Sequence, residues 1–538
     1  MTRIAFLTPP LIKPSEPGLS AAAAAQWFRQ RRVDAFAVDA SIGWYRHMLG
    51  LPNLEACLAL AEAQSYSRGS RMAFRQTFRD AAAPVHPLRR SETYQDRRIY
   101  SSATNHLINT LRLASIPSPG FHLRVADVEV AGRRPHCAAD LEALARRPGP
   151  FDAYFLESLI PALERAGITH AAISLTFLNQ AFAAFRLAFL LGERLPTVQR
   201  WLGGPLIDCW SAVGAPLDLP VFHLFQRVFP VVSENAMNTL VLELGGSATA
   251  MRSVLAPDLE GTPWGDYLVP VPTVPVALGR GCYWRRCTFC PDYLHPAYRP
   301  GQKDTLGEWL ESVANRFPEG AMLHLTDSAL PPALLEAVAD AIRSLRLPLR
   351  WHGFVRMERR FAEPAFTRHL AEGGCAMLQW GLETASPRLL EMMDKGVTAE
   401  QARAVLQASS TAGIKNHAYL LFGLPTETDA DREATLTFVQ SEASSFHDLN
   451  TSLLNLPKRS PMHEAPERYG ITSLSAFGSE TDLSLYEDFR CGTSHPRLEA
   501  RHWLAAHFFK DPVVKGILGD LNGPFKENHS CFLPKRSS

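Results

Sequence analysis

Apolar and polar positions alternate with two different periods along the first part of the chain. Short apolar runs at Arg3–Thr8 and Asp34–Val38 suit strands, and Ala21–Arg31 between them has helical spacing. The same alternation returns after residue 169, and its elements are a strand at His170–Thr176, a helix at Gln180–Gly192, and strands at Gln199–Leu202 and Val228–Val232. Strands that alternate with helices indicate a parallel sheet covered by helices. We therefore predict a doubly wound α/β domain over residues 1–245.

Two stretches interrupt this pattern. Residues 41–166 contain helical runs such as Glu55–Ala63 and a polar, arginine-rich part, and they are interpreted as a helical insertion whose arginines form a solvated face. Residues 246–275 contain five prolines between Pro257 and Pro275 and no amphipathic pattern, which is typical of a semi-rigid linker.

A second alternating series follows over residues 276–457. Its predicted strands are Val276–Gly279, Met322–Thr326, Arg350–Arg356, Ala376–Gly381, Lys415–Phe422 and Asp448–Leu456. Six strand–helix units in about 180 residues predict a partial (β/α)6 barrel, because a closed eight-unit barrel needs about 250 residues. Residues 458–538 form a C-terminal extension with a predicted helix near Leu498–Phe509.

Composition narrows the class of protein. The chain of 538 residues is 46% hydrophobic and 20% charged, and its 55 basic and 54 acidic side chains leave a net charge of +1. This balance favours neither nucleic acid nor a membrane surface, so a small-molecule or peptide substrate is expected. The first residues lack the features of a secretory signal, and no apolar run reaches the length of a membrane span. A cytoplasmic location is therefore expected.

Three of the nine cysteines fall close together in a loop after the first strand of the second series. Cys282, Cys287 and Cys290 lie within nine residues, and the other six are scattered. Thiolates at this spacing bind an iron–sulfur cluster or zinc. Structural zinc needs four ligands, yet the next cysteine is Cys375 and the nearest histidine is His295. Three cysteines would leave one iron of a cubane open to another ligand.

The motif GCYWRRCTFC and its surroundings resemble the radical S-adenosylmethionine (radical SAM) superfamily, in the branch with an N-terminal cobalamin-binding domain. Most of that superfamily spaces the first two cysteines by three residues, whereas four residues, Tyr283 to Arg286, separate them here. The resemblance implies that the cysteines hold a [4Fe–4S] cluster that cleaves S-adenosylmethionine.

The resemblance also implies S-adenosylmethionine-binding residues. Phe289 takes the place of the aromatic residue that contacts adenine in relatives, although a core aromatic is an equal alternative. Asp327, Arg356 and Glu383 end three successive strands, where groups would converge on one mouth. Gly423 and Pro425 lie in LLFGLPTET, which resembles the turn that approaches the cofactor. The segment MDKGVT is interpreted as structural, with Gly396 capping a helix.

The loops after the strands of the first domain resemble the corrin-contacting loops of Rossmann-like cobalamin-binding domains. Their candidate residues are Thr8, Pro9, Pro10, Ser174, Leu175, Thr176, Gln180, Gly203, Gly204 and Glu234. A doubly wound fold binds ligands at this edge of its sheet. No GxGxxG motif favours a dinucleotide. The Asp-x-His-x-x-Gly signature, whose histidine ligates cobalt in other cobalamin proteins, is also absent.

Together these features imply an enzyme that uses a 5′-deoxyadenosyl radical and methylcobalamin to methylate an unactivated carbon of a natural product or peptide. An external low-potential electron donor is implied as a partner. Two alternatives stay open at this point. The first is a radical SAM cyclase or rearrangement enzyme that uses cobalamin without methyl transfer, and the second is a zinc-stabilised binding module without catalysis.

Overall fold

A computed structural model describes residues 2–230, 234–247, 256–295, 297–300, 304–477 and 482–519, without the side chains of 234–236. The chain divides into two compact units, and the main division falls between Pro275 and Val276. No helix within the described residues is both long enough and apolar enough to cross a membrane.

The first unit is built on a parallel sheet of five strands. Its sheet strands are β1 (Arg3–Thr8), β2 (Asp34–Asp39), β5 (His170–Ser174), β6 (Gln199–Gly203) and β7 (Arg227–Val228), in the order β2-β1-β5-β6-β7. The chain leaves β1 for β2 on one side and later returns to β5 on the other side. Ligands of such folds bind where the order reverses, at the carboxyl ends of the strands. The doubly wound prediction is confirmed.

Helices cover this sheet and fill the insertion. Those with α-helical geometry are Leu19–Arg29, Ala40–Met48, Leu51–Ala63, Arg68–Ala81, Arg97–Ala114, Ala138–Ala145, Asp152–Tyr154, Ile160–Arg165, Ala181–Arg194, Pro205–Ala212 and Glu234–Glu243. The core between the first helix and the sheet is apolar, with Ile4, Phe28 and Trp201 among its buried side chains. Asp39 ends β2 and caps the next helix, because its carboxylate accepts hydrogen bonds from the amides of Ser41 and Ile42.

Residues 41–166, interpreted as a helical insertion, are mainly helical but are not built of helices alone. They contain an antiparallel hairpin of β3 (Phe121–Arg124) and β4 (Asp127–Val130). Both strands alternate buried and exposed side chains, and Ala126 in the two-residue turn has φ +56°. The alternation of buried and exposed positions was visible in the sequence, but each alternating segment has only four residues. The predicted strand Val228–Val232 is also shorter than expected, since β7 ends at Val228 and residues 231–232 lie outside the described part.

The second unit contains a sheet of six strands in which each strand neighbours the next along the chain. They are β8 (Thr273–Val276), β9 (Ala321–Leu325), β10 (Leu349–Val355), β11 (Cys375–Glu383), β12 (Lys415–Phe422) and β13 (Asp448–Leu453). The pairings from β9 to β13 are parallel, as a (β/α)6 partial barrel requires. Strand β8 starts inside the predicted linker and ends at Val276, earlier than expected.

Helices separate these strands, and a small antiparallel sheet follows them. The α-helices are Leu306–Arg316, Pro332–Ser344, Pro364–Glu372, Pro387–Met392, Ala399–Thr411, Asp429–Ser441, Pro461–Glu464, Pro496–Ala506 and Pro512–Leu518. The small sheet consists of β14 (Leu456–Pro457), β15 (Ser473–Ser475) and β16 (Tyr486–Arg490), in the order β14-β16-β15. Thr428 starts the helix Asp429–Ser441 with a capping box that includes Asp431.

Candidate active site

The three clustered cysteines lie in the loop that follows β8. Cys287 is buried, and Cys282 and Cys290 are half-buried. Burial raises the pKa of Cys290 to about 12. Burial also raises the pKa of Cys287, while the nearby charges of Lys395 and Arg356 act in the opposite direction. Because a metal-bound thiol is deprotonated, two buried cations beside Cys287 suit an anionic metal–thiolate centre.

Cys282 raises the pKa of Cys287, and Cys287 raises the pKa of Cys290, so Cys287 lies within electrostatic reach of both of the other cysteines. Within the described residues, no three His, Cys, Asp or Glu side chains lie close enough together to ligate a single ion. Thiolates around one tetrahedral zinc would be separated by only about 3.8 Å, given a Zn–S distance of about 2.3 Å. The thiols are therefore not gathered around one ion, and a cubane, which takes each thiolate on a different iron, does not require them to be.

Two buried carboxylates hold the backbone of the cysteine loop. Asp327 accepts hydrogen bonds from the amides of Leu278 at 3.0 Å and Gly279 at 2.5 Å, and burial raises the pKa of Asp327 to about 6. Asp292 accepts from the amide of Cys282 at 3.3 Å, and its own amide donates to Cys290 Sγ at 3.4 Å. Asp292 thus connects the first and third cysteines. Sequence reasoning missed Asp292, although its place two residues after Cys290 was a signal.

The four-residue spacer between the first two cysteines is fastened to the turn after the helix Pro387–Met392. Trp284 Nε1 donates to the carbonyl of Asp394 at 3.1 Å, and Arg286 Nε donates to the Asp394 carboxylate at 3.0 Å. The amide of Thr288 donates to the carbonyl of Met393 at 3.0 Å. The longer spacer is therefore an ordered part of the site.

Gly396 belongs to this contact and does not cap a helix. The helix ends at Met392, four residues earlier. Gly396 has φ +67°, and a Cβ atom there would lie 2.4 Å from Trp284 Cζ2. A glycine is required because the indole ring occupies the space that a side chain would fill.

Arg356 packs onto the cysteine loop. Its Nη1 atom lies 3.7 Å from Cys287 Sγ, and its Nη2 atom donates to the carbonyl of Lys395 at 2.6 Å. The guanidinium also stacks on the Trp284 ring, 4.0 Å from its centroid. Arg356 is 5% exposed, and both terminal nitrogens are engaged. The arrangement suits a residue that supports the cysteine loop better than a free fork for a carboxylate.

Glu383 forms a buried ion pair with Lys395, a residue that sequence reasoning did not single out. Lys395 Nζ donates to Glu383 Oε1 at 2.8 Å, and the two side chains are 7% and 15% exposed. Glu383 lies at a β-bulge and has φ +64°. Gly381 leaves room for the pair, since a Cβ there would lie 2.9 Å from both charged atoms. Lys395 was visible only as one letter of MDKGVT.

The other predicted S-adenosylmethionine residues are buried. Phe289 is 9% exposed and packs in an apolar cluster with Leu390 and Leu421. The amide of Gly423 donates to Glu427 Oε2 at 2.6 Å, and a Cβ at Gly423 would lie 3.0 Å from Arg497 Cα. Gly423 therefore admits the backbone of the C-terminal extension. Pro425 is buried in the same turn.

In the first unit, three of the predicted cobalamin residues line one cavity of about 160 Å³ at the carboxyl edge of the sheet. They are Ser174, Gly203 and Gly204, and apolar side chains such as Phe28 and Trp201 form the walls. A Cβ at Gly203 would meet only Phe229, at 3.7 Å. Gly204 has φ +109°, and a Cβ there would lie 2.6 Å from the carbonyl oxygen of Leu175, so the fold itself requires this glycine.

The remaining loop residues connect the strand ends. The side chain of Gln180 is fully buried, donates to the carbonyl of Pro9 at 2.7 Å, and accepts from the amides of Thr176 and Phe177. The amide of Leu175 donates to the carbonyl of Gly203 at 2.8 Å. Other predicted residues of this edge, Thr8, Pro9 and Pro10, are buried. The side chain of Glu234 lies outside the described residues.

Comparisons with known proteins agree with this arrangement. Residues 276–439 match the family model of the radical SAM superfamily. A curated protein of Pyrococcus horikoshii, named as an uncharacterised methyltransferase, is 27% identical over 173 residues, which are 32% of this chain and 37% of that protein.

Two solved structures are similar to this chain. The cobalamin-dependent S-adenosylmethionine radical enzyme OxsB, with aqua-cobalamin bound, is 15% identical with a TM-score of 0.50, over 66% of this chain and 61% of that chain. The radical S-adenosylmethionine methyltransferase TsrM from Kitasatospora setae, with cobalamin and a [4Fe–4S] cluster bound, is 16% identical with a TM-score of 0.43, over 63% of this chain and 72% of that chain. The likeness to OxsB concerns the fold. The region that carries Cys282, Cys287 and Cys290 matches the family model of the radical SAM superfamily.

Proposed function

We propose that this protein is a cobalamin-dependent radical SAM enzyme that methylates an unactivated carbon of a natural product or peptide. The observation that carries the proposal is the surroundings of Cys287, where a buried thiol lies beside Arg356 and the Lys395–Glu383 pair in a radical SAM domain. The relative named as a methyltransferase and the cobalamin-binding structure OxsB support the same function.

Cys282, Cys287 and Cys290 would hold the [4Fe–4S] cluster. When bound, the cluster with S-adenosylmethionine supplies one-electron radical chemistry, and cobalamin supplies a transferable methyl group. Asp327 and Asp292 fix the loop backbone, and Arg356 and Lys395 offset negative charge near Cys287. These residues would set the shape and charge of the site. The reaction at the substrate carbon would be carried out by the bound cofactors.

Glu383 is the strongest candidate among the three strand-end residues for a contact with S-adenosylmethionine. Its Oε1 atom accepts from Lys395, and its Oε2 atom has no hydrogen-bond partner among the residues described. Asp327 differs because both of its carboxylate oxygens accept backbone amides. A carboxylate with one open oxygen suits the amino group of S-adenosylmethionine, since charge-assisted hydrogen bonds are strong.

The cavity of the first unit suits the cobalamin. Its apolar walls would accept the aromatic base of the nucleotide tail, and Ser174 and Gly203 would border it at the sheet edge. Gln180 and Leu175 would act indirectly, because their hydrogen bonds fix the loops that form this border.

The test is anaerobic reconstitution with iron, sulfide and hydroxocobalamin, followed by analysis of the products from S-adenosylmethionine. We expect about four irons per chain, the number in one cubane, and 5′-deoxyadenosine as a product. Cys282→Ala, Cys287→Ala or Cys290→Ala should remove the iron, whereas the matched control Cys57→Ala, at a buried cysteine of the first unit, should retain it. Stoichiometric zinc without iron would overturn the proposal. Formation of 5′-deoxyadenosine without any transfer of methyl to cobalamin would favour cyclisation or rearrangement.

A further inference from the structure

The cysteine loop carries a local excess of positive charge. Residues 280–300 contain four arginines, Arg280, Arg285, Arg286 and Arg299, and a single acidic residue, Asp292, which is buried. Arg280, Arg286 and Arg299 are exposed. The whole chain has a net charge of only +1, so the positive charge of this loop is well above the average of the chain. We refer to these four arginines as the arginine surface.

Two of these arginines lie directly opposite each other. The amide of Arg280 donates to the carbonyl of Arg299 at 3.0 Å, and the amide of Arg299 donates back to Arg280 at 3.0 Å. In such an antiparallel pair both side chains project from the same face, and like charges in this position destabilise the pair. Neither arginine has a carboxylate partner in the part of the chain that the structure describes. An anionic partner would relieve this repulsion.

The other two arginines place the surface beside the metal ligands. Arg285 Nη2 donates to the carbonyl of His295 at 3.1 Å, and Arg286 pairs with Asp394 next to Cys287. Arg280 lies two residues before Cys282, which is half-buried. The arginine surface therefore lies where the metal centre would come near solvent, and electron transfer requires a short distance.

We propose that the arginine surface is the docking site of an acidic protein that carries a single electron at low potential, of the ferredoxin type. The partner loses one electron and becomes oxidised, and the centre on the three cysteines gains that electron and becomes reduced. Complementary charge increases the rate at which such proteins meet, and salt weakens the effect. The proposal rests on the proposed function because it requires a reducible cluster.

The test measures the rate of cluster reduction in the reconstituted holoenzyme by anaerobic stopped flow. Reduced plant-type [2Fe–2S] ferredoxin is one donor, and dithionite is the other. We expect the double variant Arg280→Glu, Arg299→Glu to react at least about tenfold more slowly with ferredoxin at low salt. With dithionite, which is itself an anion, the rate should be unchanged at about 1 M salt, where its charge is screened. The control Arg368→Glu changes an equally exposed arginine on the helix Pro364–Glu372 and should leave both rates unchanged.

Equal rates with ferredoxin for the parent and the double variant would overturn the proposal. Slow reduction of the double variant by dithionite at about 1 M salt would also overturn it, because the arginines would then act on the centre itself. Binding of RNA by the parent that the double variant loses, with no effect of the double variant on ferredoxin, would assign the surface to nucleic acid. If the parent shows no reducible centre even with dithionite, the proposed function is wrong, and this outcome is distinct from failure of the docking proposal, in which the centre is reducible.

Discussion

Replacement of Gly396 by alanine tests whether the turn after the helix Pro387–Met392 shapes the metal site. The new Cβ would lie 2.4 Å from Trp284 Cζ2 and 2.7 Å from Trp284 Cη2. The indole cannot move aside freely, because Arg356 stacks on its ring and its Nε1 atom donates to the carbonyl of Asp394. Gly396→Ala should therefore displace the spacer between Cys282 and Cys287.

The cost has two parts. Alanine at φ +67° loses roughly 1–2 kcal/mol from the left-handed backbone alone. Displacement of Trp284 removes a buried cation–π contact, worth roughly 0.5–2 kcal/mol, and a hydrogen bond, worth roughly 0.5–1.5 kcal/mol. We expect the free energy of unfolding to fall by about 2–5 kcal/mol. The part that comes from Trp284 should also disturb the cysteine loop.

Gly413 provides a matched control in the same unit. Its φ is +82°, and a Cβ there would meet nothing within 4 Å, so Gly413→Ala carries the backbone cost without the contact. Urea unfolding should show that Gly396→Ala loses about 1–3 kcal/mol more than Gly413→Ala. Iron per chain after reconstitution should fall only in Gly396→Ala. Equal stability and equal iron content in the two variants would refute the reasoning.

Other changes test the remaining contacts. Arg356→Ala should lower the iron content and not only the affinity for S-adenosylmethionine, because it removes a charged contact worth roughly 1.5–3 kcal/mol. Full iron content with weaker S-adenosylmethionine binding would instead indicate that Arg356 binds the cofactor. Lys395→Met should destabilise the protein by about 3–5 kcal/mol in urea unfolding, since it leaves Glu383 buried without its partner, and addition of Glu383→Gln should recover part of the loss. Gly203→Phe should reduce cobalt per chain after desalting while the free energy of unfolding changes by less than about 1 kcal/mol, and Gly265→Phe, at an exposed glycine of the same unit, should retain cobalt.

The backbone of both units follows closely from sequence pattern. The predicted strands Arg3–Thr8 and Lys415–Phe422 have the observed bounds, because each contains a run of apolar residues and is followed directly by a Pro or Gly. The hairpin β3–β4 was missed because two strands of four residues give too few periods to separate from irregular chain. The position of the cysteine loop could also be predicted from the sequence pattern, because the loop comes directly after the first strand of the second series.

The direction of each side chain could not be predicted. Asp327, Arg356 and Glu383 do lie at strand ends, as expected, but Asp327 binds backbone amides and Arg356 binds the cysteine loop. Strand position fixes the edge at which a residue lies, whereas its partners depend on segments distant in sequence, such as the turn that contains Lys395. Sequence period carries no information on these long-range contacts.

Glu383 illustrates how these distant segments act together. A non-glycine residue at φ +64° stores strain of about 1–3 kcal/mol, which persists only where the surroundings fix it. Three features do so here: the bulge that turns the residue out of the ladder with β12, the missing side chain at Gly381, and the ammonium of Lys395. The backbone carbonyl of Lys395 in turn accepts a hydrogen bond from Arg356, which contacts Cys287. The strained carboxylate of Glu383 and the thiol of Cys287 are thus connected through Lys395 and Arg356. A change at any of these four residues should therefore alter the iron content after reconstitution.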